Sequence, residues 1–148
     1  MHETEKLVRM IELQVLVEQS CQSNLAASQQ RTESQTRRVT QLSQARDRAS
    51  NAIVEVLGAP TFCPDRLQLV TGQLSVVDQL ALQGETDLER ARAAEQDAMQ
   101  DWQIACQRVE ILAARLKAAR RKEARKGDLR MQSKMLSLDA AIGRGIDT

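Results

Sequence analysis

Leu57-Gly58-Ala59-Pro60-Thr61-Phe62-Cys63-Pro64-Asp65-Arg66 is the stretch on which the reading of this chain turns. It holds both prolines of a 148-residue sequence, and a glycine beside them. Gly58 suits the C-terminus of a helix, and Pro64-Asp65 suits the approach to a new one. One break is therefore predicted, a loop over 58–64. Helices are predicted on either side, over about 4–57 and about 65–140, with a frayed tail over 141–148 around Gly143 and Gly145.

Working outward, each flank carries an apolar repeat of alternating three- and four-residue steps. After the break the repeat is the more regular. It runs through Leu67, Val70, Leu74, Val77, Ala81, Leu88, Ala91, Ala98, Trp102, Ala105, Val109, Leu112, Leu116 and Ala119, and only Gly84 and Glu95 interrupt it. Before the break it runs through Leu7, Ile11, Cys21, Leu25, Val39, Leu42, Ala49, Ile53 and Val56, with polar residues at the repeat positions Gln14, Glu18 and Arg46 and a polar centre at Ser28, Thr32 and Gln35. A period of 3.5 residues held this long implies a partner helix and a left-handed supercoil.

The two seams, 7–56 and 67–116, match in length. Folding back at the break pairs positions whose numbers sum to about 123, so Val39 meets Gly84, Ile53 meets Val70, Cys21 meets Trp102 and Ser28 meets Glu95. Large side chains then face small ones, as knobs-into-holes packing requires. The expected fold class is all-α, a long antiparallel two-helix coiled-coil hairpin forming a single domain over 1–148, with an overhanging C-terminal helix. The expected seam residues are Leu25, Val39, Leu42, Ile53, Leu74, Val77, Leu88, Trp102, Val109 and Leu112. Residues 120–140 have no helix opposite them in this pairing.

Composition agrees with a thin seam and argues against a thick core. There is one Phe, one Trp and no Tyr, so large aromatic anchors are missing. Net charge is +1, which excludes a strong global pull toward polyanions. Locally the charge is uneven. Asp78, Glu85, Asp87, Glu89, Glu95, Asp97 and Asp101 make residues 78–101 acidic. Arg115, Lys117, Arg120, Arg121, Lys122, Arg125, Lys126, Arg130 and Lys134 make residues 115–134 basic. The ordinary reading of such runs is a solvated helix face; the sharper one, for the basic run, is a surface for an acidic partner.

Catalytic constellations are absent from this pattern. The one histidine, His2, stands at the chain end, and no Gly-rich phosphate loop occurs. Cysteine or serine nucleophiles therefore lack a neighbouring base. Cys21, Cys63 and Cys106 are odd in number and follow no metal-ligand spacing, and read as reduced thiols. No enzyme, no cofactor and no metal site is expected. Nucleic acid is not an expected partner, because stacking aromatics are missing. No direct membrane insertion is expected either, since no stretch approaches the roughly 20 apolar residues of a span.

The region AMQDWQIACQRVEILAARLKAARRKEARK and the LRMQSKMLSLD that follows, over residues 98–139, resemble the central-stalk proteins of type III secretion ATPases. That family includes FliJ in flagellar export and the SctO (YscO-like) proteins of injectisomes. The similar features are Trp102 early in the second helix, Glu110 and Leu112 in an E-x-L turn, the basic run, and Lys134-Met135 with Asp139. Flagellar members end closer to Met-Asp-Glu; here Asp139 is followed by Ala140-Ala141, which leans toward the injectisome branch.

The resemblance implies a non-catalytic stalk whose open end enters a hexameric export ATPase, contacts an export-gate protein and in some members binds export chaperones. It also implies a cytoplasmic location, at the inner-membrane secretion apparatus. Mapped onto this chain, the open end is Leu7 to Leu16 with roughly Leu112 to Met135. Arg115, Lys117, Arg120, Arg121, Lys122, Arg125, Lys126 and Arg130 would then face the ring, and Arg46 to Arg66 would lie near the hairpin tip. The alternatives are an unrelated coiled-coil adaptor or chaperone that holds client helices, a secreted helical protein and, last, a nucleic-acid-associated coiled coil. Phe62 at the bend, and Met131, Met135, Leu136, Leu138 and Ile142 beyond the seam, are further candidates for contact with another protein.

Overall fold

The computed structural model describes residues 2–146, and all of its regular structure is α-helical. Helix α1 spans His2–Leu57 and helix α2 spans Pro64–Ile146. Glu3 and Glu5 occupy the first turn of α1, and Asp65 that of α2, where negative charge complements the exposed N–H groups of a helix start. No helix among the described residues is long and apolar enough to cross a membrane.

The break forms for identifiable reasons. The Gly58 amide donates to the Val54 carbonyl at 2.9 Å, which carries helical bonding one residue past Leu57. Pro60 has no amide with which to continue it. The Cys63 carbonyl then accepts the Leu67 amide at 3.2 Å, opening α2 with Pro64 in the first helical position, where its ring is tolerated. Gly58 ends α1 without the left-handed conformation such glycines often adopt. A β-carbon there would stand 3.3 Å from the Val54 carbonyl oxygen, so the close approach is what favours glycine.

At the other end, α2 continues to Ile146, past residue 140 where the helix was expected to end. A glycine in a helix costs about 1 kcal/mol relative to alanine, and Gly143 and Gly145 do not end the helix before Ile146. Residues 147–148 of the expected tail lie outside the described residues.

Contacts divide the chain into two compact units. One combines residues 1–20 with 103–148, and the other is residues 21–102. Within the 21–102 unit α1 and α2 lie antiparallel. The Thr32 hydroxyl reaches the Ala91 carbonyl at 3.3 Å, while ten residues further along α1 Leu42 lies over Gly84. Leu25, Ala49, Val56, Val70, Ala81 and Leu88 are buried in this unit. A β-carbon on Gly84 would come within 3.1 Å of Leu42 Cδ1 and 3.7 Å of Val39, so the absence of a side chain is what lets the helices approach there.

Within the other unit the direction is again antiparallel. Glu18 meets Cys106, and Thr4 meets Glu123. Leu7, Ala105 and Leu112 are its buried residues.

Burial follows the predicted repeat closely. All nine buried hydrophobic residues occupy repeat positions, and in α2 every repeat position from Leu67 to Ala119 is buried or half-buried. In α1 the exception is Arg46, which is exposed. From Arg120 to Gly143 every residue is exposed. The packing is thin throughout, since even the most enclosed core side chain, Ala105, keeps 3% of its surface. Stability must then come from many partly buried layers, and no single one dominates.

A candidate partner-binding surface on the C-terminal part of α2

Of the basic residues singled out in the sequence, Arg115 and Lys117 alternate with the half-buried Leu116 and Ala119. They stand on the outer side of a segment whose inner side is packed. Arg120, Arg121, Lys122, Arg125, Lys126 and Arg130 follow where burial has ceased. All eight are exposed. A helix turns about 100° per residue, so consecutive bases such as Arg120, Arg121 and Lys122 point in three directions. The charge surrounds the helix and forms no single row.

The boundary of this surface differs from the expected one. Pairing was expected to stop at residue 119, but the Thr4 hydroxyl donates to Glu123 Oε1 at 2.6 Å. The reason is side-chain reach: Thr4 lies within both the expected helix and α1, and the long Glu123 side chain meets it one turn past Ala119. The hydrogen bond from Thr4, with a smaller contribution from Lys126, holds the Glu123 carboxyl below its ordinary range. Among the described residues, contact between α1 and α2 therefore extends at least to Glu123, although every residue from Arg120 to Gly143 is exposed.

Beyond that point the apolar side chains no longer follow the seam. The repeat would continue through Glu123, Lys126, Arg130, Ser133 and Ser137, all polar. Met131, Met135, Leu138 and Ile142 instead form a stripe displaced around the helix, and each is more than half exposed. Leu129 and Leu136 stand on a different side and are likewise exposed.

The residues proposed for the seam divide by degree of burial. Leu25, Leu88 and Leu112 are buried, and Val39, Leu42, Ile53, Leu74, Val77, Trp102 and Val109 are half-buried. The polar centre has a bonding pattern that the repeat alone did not reveal. The Thr32 hydroxyl lies 3.1 Å from its own helix's Ser28 carbonyl and 3.3 Å from the Ala91 carbonyl across the interface. Gln35 Oε1 nearby, and Gln14 Nε2 in the other unit, are buried without a hydrogen-bond partner.

Two further features lie outside the basic region. Near the loop, Ala45, Ala49 and Ala52 of α1 with Leu69, Gly72 and Val76 of α2 line a surface groove of 710 Å³. Its signal in the sequence is Ala45 and Ala52 flanking the repeat residue Ala49 at helical spacing, with Gly72 off the repeat on α2. Phe62 is 55% exposed on the loop, and Cys63 beside it is exposed. Cys21 and Cys106 are half-buried, and the Cys106 thiol lies 3.9 Å from Glu18 Oε1. Among the described residues no group of His, Cys, Asp and Glu is arranged to hold a metal ion. Compared with protein-family models, with curated proteins and with solved structures, the chain matches none of them.

Proposed function

We propose that this chain is a non-catalytic central stalk of a type III secretion system, built as an antiparallel coiled-coil hairpin. Its open end would enter and organise a hexameric export ATPase and couple it to the export gate, on the cytoplasmic side of the inner membrane. The observation that carries the reading is the abrupt end of burial at Ala119 while α2 continues to Ile146. A helix that outruns its partner and carries exposed bases has its side chains ready for another molecule. The resemblance over residues 98–139 is what favours the ring as that molecule. Charge of this kind accelerates docking to an acidic surface and selects against wrong partners.

The ring would supply the nucleotide site and this chain the lever. The test adds the purified protein to its cognate ATPase and follows oligomerisation and turnover. Stimulation is expected. It should be abolished by the combined substitution Arg120→Glu, Arg121→Glu, Lys122→Glu and Arg125→Glu, with helix content unchanged by circular dichroism because all four side chains are exposed. An ATPase whose assembly and rate ignore the wild-type protein would remove the main support for the stalk.

A further inference from the structure

The segment of α2 from Arg120 onward combines two features that the stalk reading uses only in part. One is a positive field. Arg120, Arg121, Lys122, Arg125, Lys126, Arg130 and Lys134 are all exposed, against Glu123, Asp128 and Asp139. The other is the stripe Met131, Met135, Leu138 and Ile142, whose members retain between 57% and 65% of their surface. Isolated exposed apolar side chains need no explanation, but four in successive helical turns on one face do.

These features share a geometry. At about 100° per residue, Lys126, Arg130 and Lys134 form a row four residues apart that leads to one edge of the stripe. Asp128 and Asp139 stand at its other edge. Long basic side chains beside an apolar stripe can extend their charges to a polar boundary while their stems lie along it. The remaining bases point in several directions, which suits attraction to a diffuse negative surface better than a set of directed pairs. Clustered bases on a helix with an apolar face are the ordinary means of peripheral attachment to acidic lipid.

We propose that residues 120–142 bind peripherally to an anionic lipid bilayer. The bases meet the headgroups, and Met131, Met135, Leu138 and Ile142 enter the boundary between headgroups and acyl chains. Asp128 and Asp139 limit the depth, so attachment is shallow and reversible. Nothing in this crosses the membrane. Such a surface gives the chain a second, lipid-held position for the same segment, independent of any ring.

The test is co-sedimentation of the full-length chain with vesicles of phosphatidylcholine plus phosphatidylserine, beside vesicles of phosphatidylcholine alone. Binding is expected to the first and not the second, and to weaken as salt rises. Each base near an acidic surface is worth about fivefold in affinity. The combined variant Lys126→Glu, Arg130→Glu and Lys134→Glu should therefore lose at least about a hundredfold. Met135→Asp with Leu138→Asp should also abolish binding, whereas Arg37→Glu with Arg38→Glu, exposed on α1, should leave it intact.

The proposal is overturned if wild-type protein ignores the acidic vesicles at low salt, or binds both vesicle types equally. Undiminished binding by the two C-terminal variants would also overturn it. So would capture of a synthetic glutamate-flanked amphipathic peptide by a chain that leaves vesicles untouched, which would assign the segment to a protein partner. No ATPase is present in this assay, so its failure is separate from failure of the stalk reading.

Discussion

Two stretches of one continuous helix, residues 67–119 and residues 120–143 of α2, behave differently although the backbone does not change between them. In the first, every repeat position is buried or half-buried; in the second, nothing is. Both are rich in residues that favour helix, so local preference keeps the backbone helical across the boundary. What changes is where the apolar side chains fall. Up to Ala119 they fill the seam without a gap longer than two turns, although others such as Leu69, Leu82 and Ile111 stand exposed off it. After it they occupy only a displaced stripe and scattered sites while the seam positions become Glu, Lys, Arg and Ser. Helix formation and helix pairing are thus specified by different properties of the sequence.

The comparison is most exposed to failure at its leucines. Leu88→Ala, in a buried position, should cost about 2–3 kcal/mol and lower the thermal midpoint. Leu136→Ala, at a site 70% exposed, should change stability by less than about 0.5 kcal/mol. Equal losses measured by thermal denaturation would show that the two stretches are packed alike, and the distinction would be lost.

Glycines sharpen it next. Gly84→Val places bulk where even a β-carbon would stand 3.1 Å from Leu42, and overpacking of that kind costs about 1–3 kcal/mol. Gly127→Ala meets nothing within 4 Å and should raise stability by about 0.5–1 kcal/mol, read from the same melting curves. Opposite signs are the expected result.

A gain is also expected from Gln35→Leu, since the buried amide oxygen has no partner and an unsatisfied buried group of that kind is a net cost to folding. Chemical denaturation should show an increase in midpoint without loss of helix content. A decrease would mean that Gln35 is bonded in solution.

The smallest effect concerns Thr4 and Glu123. A carboxyl held below its ordinary range contributes stability above its unfolded pKa, and loses it as pH falls through the folded value. The Thr4–Glu123 contact should therefore loosen on acidification and remain intact at neutral pH. Thr4→Ala should return the Glu123 titration, followed by NMR, toward the ordinary carboxylate range.

Much of this arrangement could be read from the residues. The two prolines and Gly58 locate the break, and the spacing of residues such as Leu25, Leu88 and Leu112 identifies those that are buried. Other features depend on side-chain reach and so escaped a reading based on period. The Thr4 hydroxyl extends contact to Glu123, past the last apolar repeat position. The Thr32 hydroxyl spans to Ala91, while Gln35 in the same polar region finds no partner. Arg46 occupies a repeat position yet stays exposed, since a long charged side chain can leave a thin interface that gives it no partner. Nor does the repeat mark the division of contacts into two units. For the candidate surface, the bases were legible as a run, but the exposure of the displaced stripe required the structure.

The chain's one tryptophan, Trp102, is half-buried on the α2 repeat, and with no tyrosine present it dominates the near-ultraviolet signal. The molecule therefore carries its own optical gauge. A red shift in indole emission would report water reaching this layer, without a label and without a substitution. Because the exposed stretch after residue 119 has no aromatic residue at all, events there remain dark unless they are transmitted to the packed part of the helix. A spectral change on adding a ligand to the C-terminal segment would thus mark mechanical communication along α2, and a silent spectrum would mark two stretches that respond separately.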